Sequence, residues 1–105
     1  MSGEWRVLLE NSNGKKYIRF RIEDKDGRLR GKMKSRENGT QDLDGRREDD
    51  GQILFWSTYY DRAGGSTETN FKGYWDGEAI VGDGRFFDKP VKFRAELVED
   101  DKKKE

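Results

Sequence analysis

Six glycines recur along this chain at almost constant spacing, Gly14, Gly27, Gly39, Gly51, Gly65 and Gly77, and Asp88-Lys89-Pro90 stands where a seventh would fall. The intervals are 13, 12, 12, 14 and 12 residues. Five of the six glycines close an Asn-Gly or Asp-Gly pair: Asn13-Gly14, Asp26-Gly27, Asn38-Gly39, Asp50-Gly51 and Asp76-Gly77. Both members of such a pair tolerate the positive φ of tight hairpin turns. Seven turns at this period predict eight strands of roughly eight to ten residues, each joined to the next by a hairpin. The expected fold class is all-β, an antiparallel up-and-down meander.

Alternation sets the inward face. Trp5, Val7 and Leu9 share one side of the first strand, Ile18, Phe20 and Ile22 of the second, and Leu29, Gly31 and Met33 of the third. The later strands offer Phe71 and Gly73, then Ile80 and Gly82, then Val91, Phe93, Ala95 and Leu97. The fourth strand, Thr40 to Arg47, has only Leu43 to bury. The fifth, Ile53 to Tyr60, is apolar or aromatic on both faces, so neighbouring strands must set its phase: Ile53, Phe55, Ser57 and Tyr59 inward, Leu54 and Trp56 outward. Eight strands with one apolar face bury it most economically by closing into a barrel, which also removes both unpaired edges. Inward glycines at 31, 45, 73, 82 and 84 supply the curvature that closure needs.

Composition narrows the chemistry. Of 105 residues, 42% are charged and 30% hydrophobic, a ratio that alone suggests disorder, but thirteen aromatics and the turn rhythm oppose that reading. There is no histidine and no cysteine, so the commonest general base, the commonest metal ligand and all thiolate chemistry are missing. No pair of carboxylates is marked by spacing as a catalytic dyad, and no Ser or Lys reads as an activated nucleophile. The expectation is a protein that is not an enzyme, with no catalytic residues, no metal and no cofactor. No apolar run approaches the roughly 20 residues of a membrane helix, and no secretion signal opens the chain, so the expected setting is cytoplasmic. Residues 1–99 read as one barrel domain and 100–105 as a charged tail.

Gly3-Glu4-Trp5 at the head of the first strand resembles the Gly-x-Trp opening of the calycin superfamily, the lipocalin, avidin and fatty-acid-binding barrels. The layout is also similar to de novo designed eight-stranded barrels made in that image, in which such a Trp plugs one end. The resemblance implies a Trp–Arg corner. Its candidates are Arg94 in the eighth strand, whose phase is opposite to Phe93, and Arg47, which the meander brings to the same end as Trp5. Near-equal strands, preferred turn chemistry and the opening Met1-Ser2-Gly3 favour a designed origin. Asp-Gly hairpins in natural barrels and the irregular Ser57 to Glu68 stretch favour an evolved one.

The meander gives the barrel two unlike ends. Trp5, Ile22, Leu29, Ile53, Ile80 and Leu97 fall toward one, an apolar plug. Toward the other the inward positions become Leu9, Met33, Ser35, Gln41, Ser57, Tyr59, Thr67, Thr69, Gly84 and Phe86, a mixture usual in small-molecule pockets and also in any barrel mouth that meets water. The candidate ligand site is Phe20, Met33, Phe55, Ser57, Tyr59, Thr69 and Phe86, taking a small apolar or aromatic molecule. The alternative is a structural scaffold without native activity. The chain is expected to be a monomer.

Zero net charge conceals an asymmetry. Lys15 to Arg36 holds ten basic residues against Glu23, Asp24 and Asp26, and the rest of the chain holds twelve basic and nineteen acidic. Arg19, Arg21, Arg28, Arg30, Lys32 and Lys34 share the outer face of one hairpin, which could meet an anion or nucleic acid. Only Tyr17 is available there for base stacking, so nucleic acid is not the favoured partner. Glu10, Asp42 and Asp44 on flanking strands are expected to neutralise the stripe. A last feature, Leu54 and Trp56 with Tyr74, Trp75 and Val81, reads either as an outward association surface or as a wrong phase for the fifth strand.

Overall fold

The structure, a computed structural model, describes residues 1–36, 39–60 and 63–100, with the side chains of residues 99 and 100 excepted. Eight strands follow in order: β1 (Gly3–Asn11), β2 (Gly14–Lys25), β3 (Arg28–Ser35), β4 (Gly39–Arg47), β5 (Gln52–Tyr60), β6 (Ser66–Trp75), β7 (Ile80–Phe86) and β8 (Lys89–Asp100). Each pairs antiparallel with the next, and β8 pairs with β1 to close the barrel. The Asn38-Gly39 turn lies partly, and the tail from residue 101 wholly, outside the described residues.

The strands are less uniform than the turn spacing predicts, running from 7 residues in β7 to 12 in β2 and β8. The last turn also sits earlier than expected. Phe87 and Asp88 form it, at φ 51 and 67, with Phe86 opposite Lys89, so Lys89 and Pro90 belong to β8. A two-residue hairpin of this hand suits Asn and Gly, and a phenylalanine at positive φ is strained. Tertiary contacts hold it there: the Phe87 N–H donates to Thr69 Oγ1 (3.1 Å), and its ring meets Phe86 (4.7 Å) and Tyr59 (5.6 Å).

Inward alternation holds through the centre of every strand. Val7, Leu9, Ile18, Phe20, Ile22, Leu29, Met33, Leu43, Ile53, Phe55, Phe71, Ile80, Phe93 and Ala95 are all buried. The fifth strand takes the expected phase, with Phe55 opposite Phe71 inside and Trp56 opposite Asn70 outside. Curvature depends on close backbone approach at inward glycines. At Gly31 a Cβ would lie 1.7 Å from the Arg21 carbonyl oxygen, and at Gly84 2.0 Å from that of Asn70. No side chain fits between those strands.

The closed end differs from expectation in its details. Leu97 is not buried in the plug: it stands opposite Trp5 at the last regular pair before a register shift that leaves Val98 as an extra residue on β8, and beside this bulge its side chain is exposed. Trp75, itself half-exposed, leans over this end with its ring edge-on to Trp5 at 6.2 Å, which sets it apart from the outward Tyr74. Trp5 donates its indole N–H to the Met1 carbonyl at 2.9 Å, and both candidate arginines are engaged by carboxylates. Arg94 points outward to Asp76, Glu78 and Glu96. Arg47 instead donates to Asp24 (2.9 Å), a carboxylate that also takes the Met1 ammonium (3.2 Å) and the Gly27 N–H (3.0 Å).

One wall is incomplete. The β4–β5 ladder holds four pairs, Asp44–Trp56 to Arg47–Ile53, against nine between β5 and β6. Toward the mouth these two strands part, and the Ser57 hydroxyl bridges the gap by donating to the Asp42 carbonyl at 2.6 Å.

Candidate functional site

The sequence places the open mouth at inward positions of the strand ends, and the structure sorts those residues into two depths. Phe20, Met33 and Phe55 lie in the barrel's centre, at most 1% exposed. Phe20 packs on Phe55 (5.1 Å) and Phe71 (6.0 Å), and Phe71 on Phe93 (5.1 Å), so four rings from β2, β5, β6 and β8 fill the axis. Such tilted and edge-on contacts add to the burial of the rings themselves.

The two hydroxyls assigned to orient a ligand already have partners. Ser57 is committed to the β4 backbone, and Thr69 accepts the N–H of Phe87. Both side chains are buried, so these bonds offset the desolvation of groups that would otherwise be unpaired. Tyr59 and Phe86 remain at the rim. Tyr59 is 39% exposed against Phe87, whereas Phe86 is buried beneath the lip of the mouth. The structure thus brings Thr69, Tyr59 and Phe86 together around Phe87, and groups Phe20 and Phe55 separately below them.

Open volume lies where β1 and β8 separate. Their ladder ends at Glu10–Lys92, while β8 continues with β7 to the Phe87–Asp88 turn. A notch of about 300 Å³ opens between the β1–β2 turn and this last hairpin, floored by Leu9, Phe86 and Val91 and edged by Lys15, Lys16 and Lys89. It runs into a wider external groove of about 980 Å³ past Asp83, Arg85 and Lys92. Lys16 and Lys89 were missed in sequence, although the signal was there: each stands two residues before an inward aliphatic, Ile18 and Val91.

On the outer wall the basic stripe meets its expected neighbours. Glu10 pairs with Lys15 (3.3 Å), Asp44 with Arg30 (3.8 Å), and Asp42 with Lys32; Glu4 adds a pair with Arg19 (3.4 Å). The hydrogen bond from Lys32, and then its charge, hold the exposed Asp42 carboxyl below its ordinary value. Leu54 is half-buried and Trp56 and Tyr74 exposed on the outward face, as expected for that phase.

Among the described residues no group of three or more acidic, His or Cys side chains could hold a metal ion. Among them, too, no helix is long and apolar enough to cross a membrane. Fold and site define a closed eight-stranded antiparallel barrel with an aromatic interior and a notched mouth. Comparison of the chain with family models, curated proteins and solved structures finds no match.

Proposed function

We propose that this chain is a non-catalytic, monomeric scaffold barrel of calycin-like form and designed origin, whose own aromatic side chains occupy the place a ligand would take. The observation that carries this reading is the ring cluster of Phe20, Phe55, Phe71 and Phe93, each at most 3% exposed, with Ser57 and Thr69 above it both engaged by backbone. A ligand entering the centre would have to displace close-packed rings, a loss that a small apolar molecule does not repay. Designed origin draws its support from five Asn-Gly or Asp-Gly turns rather than from strand length.

A second reading, binding of a small apolar or aromatic molecule at the mouth, is favoured by the exposed rim of Tyr59 over Phe87 and by the notch beside Phe86. Recognition of nucleic acid or other anions by the Lys15 to Arg36 hairpin draws less support, since Arg19, Arg30 and Lys32 each face a carboxylate.

The test uses an uncharged aromatic dye, N-phenyl-1-naphthylamine, followed by fluorescence. The wild-type barrel should not bind it in the micromolar range, whereas Phe71→Ala should gain binding by opening a dry cavity at the centre. Micromolar binding to the wild type that Phe20→Trp abolishes would show an open interior and overturn the scaffold reading.

A further inference from the structure

We propose that the closed end of the barrel is a docking site for a short basic segment of a partner protein. An apolar side chain of that segment would anchor beside Trp75 and Leu97, and its cations would lie against the carboxylates of the β4–β5 and β6–β7 turns. The proposal goes beyond the scaffold reading, because it gives the outside of the plugged end a recognition role.

An exposed apolar face at this end carries the argument. Trp75 shares its face of β6 with Phe71 and Gly73, and Leu97 shares its face of β8 with Phe93 and Ala95, so both stand at inward positions where each strand reaches the closed end. Both adjoin Trp5, Trp75 through the ring contact at 6.2 Å and Leu97 as its cross-strand partner. Trp5 is sealed at 2% exposure, but Trp75 keeps 50%, Leu97 38% and the neighbouring Val98 59%. Val98 stands there because the register shift beside Trp5 adds one residue to β8, and bulges of this kind re-aim side chains at rims and binding sites.

Size decides what kind of occupant fits. Beside Trp75 a hollow of about 260 Å³ opens over the buried Ile53 and Ile80, with Arg47 and Glu48 at its lip. That is below the roughly 300 Å³ at which small-molecule pockets begin, so the hollow takes one bulky side chain rather than a whole ligand. Trp75, Leu97 and Val98 together offer roughly 300 Å² of apolar surface, the scale of the largest patch on an ordinary monomer. Each partner in an interface between folded proteins contributes about 800 Å², so a short segment suits this face better than a domain or a second copy of the barrel.

Charge decides the chemistry of that segment. The two turns beside this face carry Glu48, Asp49, Asp50, Asp76 and Glu78 and no cation, and Glu96 adds a sixth carboxylate from β8. Arg46 binds Glu48 (2.7 Å), and Arg94 alone serves Asp76 (3.6 Å), Glu78 (3.6 Å) and Glu96 (3.4 Å). Arg47, at the lip of the hollow, is committed to Asp24. Six carboxylates therefore share two guanidiniums. Opposite the β6–β7 turn, the β2–β3 turn sets Lys25 and Arg28 around Asp26, so the negative field lies on the Trp75 side. Exposed ion pairs of this kind hold weakly and rearrange readily around an incoming cation. A bare polyamine would leave the apolar face uncovered, and a neutral peptide would leave the carboxylates unmatched. Lysines or arginines around one leucine or phenylalanine satisfy both.

The experiment titrates the barrel with three synthetic peptides, a leucine–lysine repeat, the same repeat with glutamate for lysine, and oligolysine, followed by tryptophan fluorescence and mapped by amide shifts. The leucine–lysine peptide should bind with a stoichiometry of one, shift the amides of Ile53, Trp75, Ile80 and Leu97, and weaken as salt rises. Leu97→Ser should weaken it roughly tenfold, the size of one lost apolar contact. Asp49→Asn and Glu78→Gln combined should weaken it by about as much. Trp56→Phe, on the outer wall, should change it less than about twofold. No saturable binding of the leucine–lysine peptide, or binding that ignores these closed-end variants, overturns the proposal. Equal binding of the glutamate peptide, which needs no charge match, or of oligolysine, which needs no anchor, overturns it too. Self-association of the chain that Leu97→Ser abolishes, without peptide binding, overturns it in favour of a second copy.

Discussion

Trp5 is the side chain on which the closed end most depends, and its removal gives the sharpest test of the fold. It is 2% exposed, stands edge-on to Trp75 and donates its indole N–H to the Met1 carbonyl. Truncating a buried Trp to Ala costs about 3–5 kcal/mol through lost burial and the cavity left behind. The edge contact and the orphaned carbonyl place this site toward the upper part of that range. Against a total stability of about 5–15 kcal/mol for a small domain, the loss is a large share. With a urea slope of about 1–3 kcal/mol/M, a 4 kcal/mol loss lowers the unfolding midpoint by roughly 1.3–4 M. Trp56 is the internal control, since it is 43% exposed on the outer wall and its removal should cost about 1 kcal/mol or less. Both variants are followed by far-UV circular dichroism, which does not depend on the deleted fluorophore. Equal midpoint shifts for Trp5→Ala and Trp56→Ala would refute the reasoning, both the plug and the phase of β5.

Gly31→Ala should cost about 3 kcal/mol or more, or prevent folding, because its Cβ would collide with the Arg21 backbone; Gly51→Ala meets no atom within 4 Å and should lose only about 1–2 kcal/mol, from its φ of 92°, in the same urea titrations. Thr69→Val removes the acceptor for Phe87 N–H and should cost about 1–3 kcal/mol, with the β7–β8 turn amides shifting most by NMR. For Asp24, burial pushes the carboxyl up, but Arg47, the Gly27 amide and the N-terminal ammonium outweigh it and hold the folded value below the ordinary 3.8. A group lowered on folding stabilises above its unfolded value and loses that contribution as pH falls through its folded one, so stability should decline from about pH 5 toward pH 2. Asp24→Asn should flatten this decline in urea midpoints measured across that window, leaving the shares of the exposed Asp42 and of Asp76, which the Ala79 and Glu78 amides hold low.

Most of the architecture was legible because period-2 burial and Asn-Gly or Asp-Gly turns are local properties. Ile18, Phe20 and Ile22 can be assigned to one face without knowing what they touch. The departures arise where tertiary contacts override local preference. No turn propensity places Phe87 at positive φ; Thr69, Glu68 and Tyr59 do, and they are distant in sequence. Leu97 kept the right alternation in sequence but lies beside a bulge, and an extra residue on one strand leaves no signature in hydrophobic pattern. The mouth was half legible. Position identified Ser57 and Thr69, but only coordinates show their hydroxyls committed to Asp42 and Phe87. Lys16 and Lys89 follow from the same alternation carried one step further along β2 and β8. Charge at a strand end reads first as a solvated edge.

The short β4–β5 ladder has a consequence for how the molecule breathes. Every other wall must break a longer run of paired amides to part, so the slit between Asp42 and Ser57 is where the barrel unzips most easily. Amides of Gly39–Leu43 and Ser57–Tyr60 on the lips of the slit should exchange with solvent ahead of those in β1 and β2. Once open, the cylinder is a curled sheet with two free edges, one of them ending Ser57-Thr58-Tyr59-Tyr60, a segment without charge and rich in β-forming residues. In concentrated solution, copies of the chain should begin to aggregate by pairing along that edge.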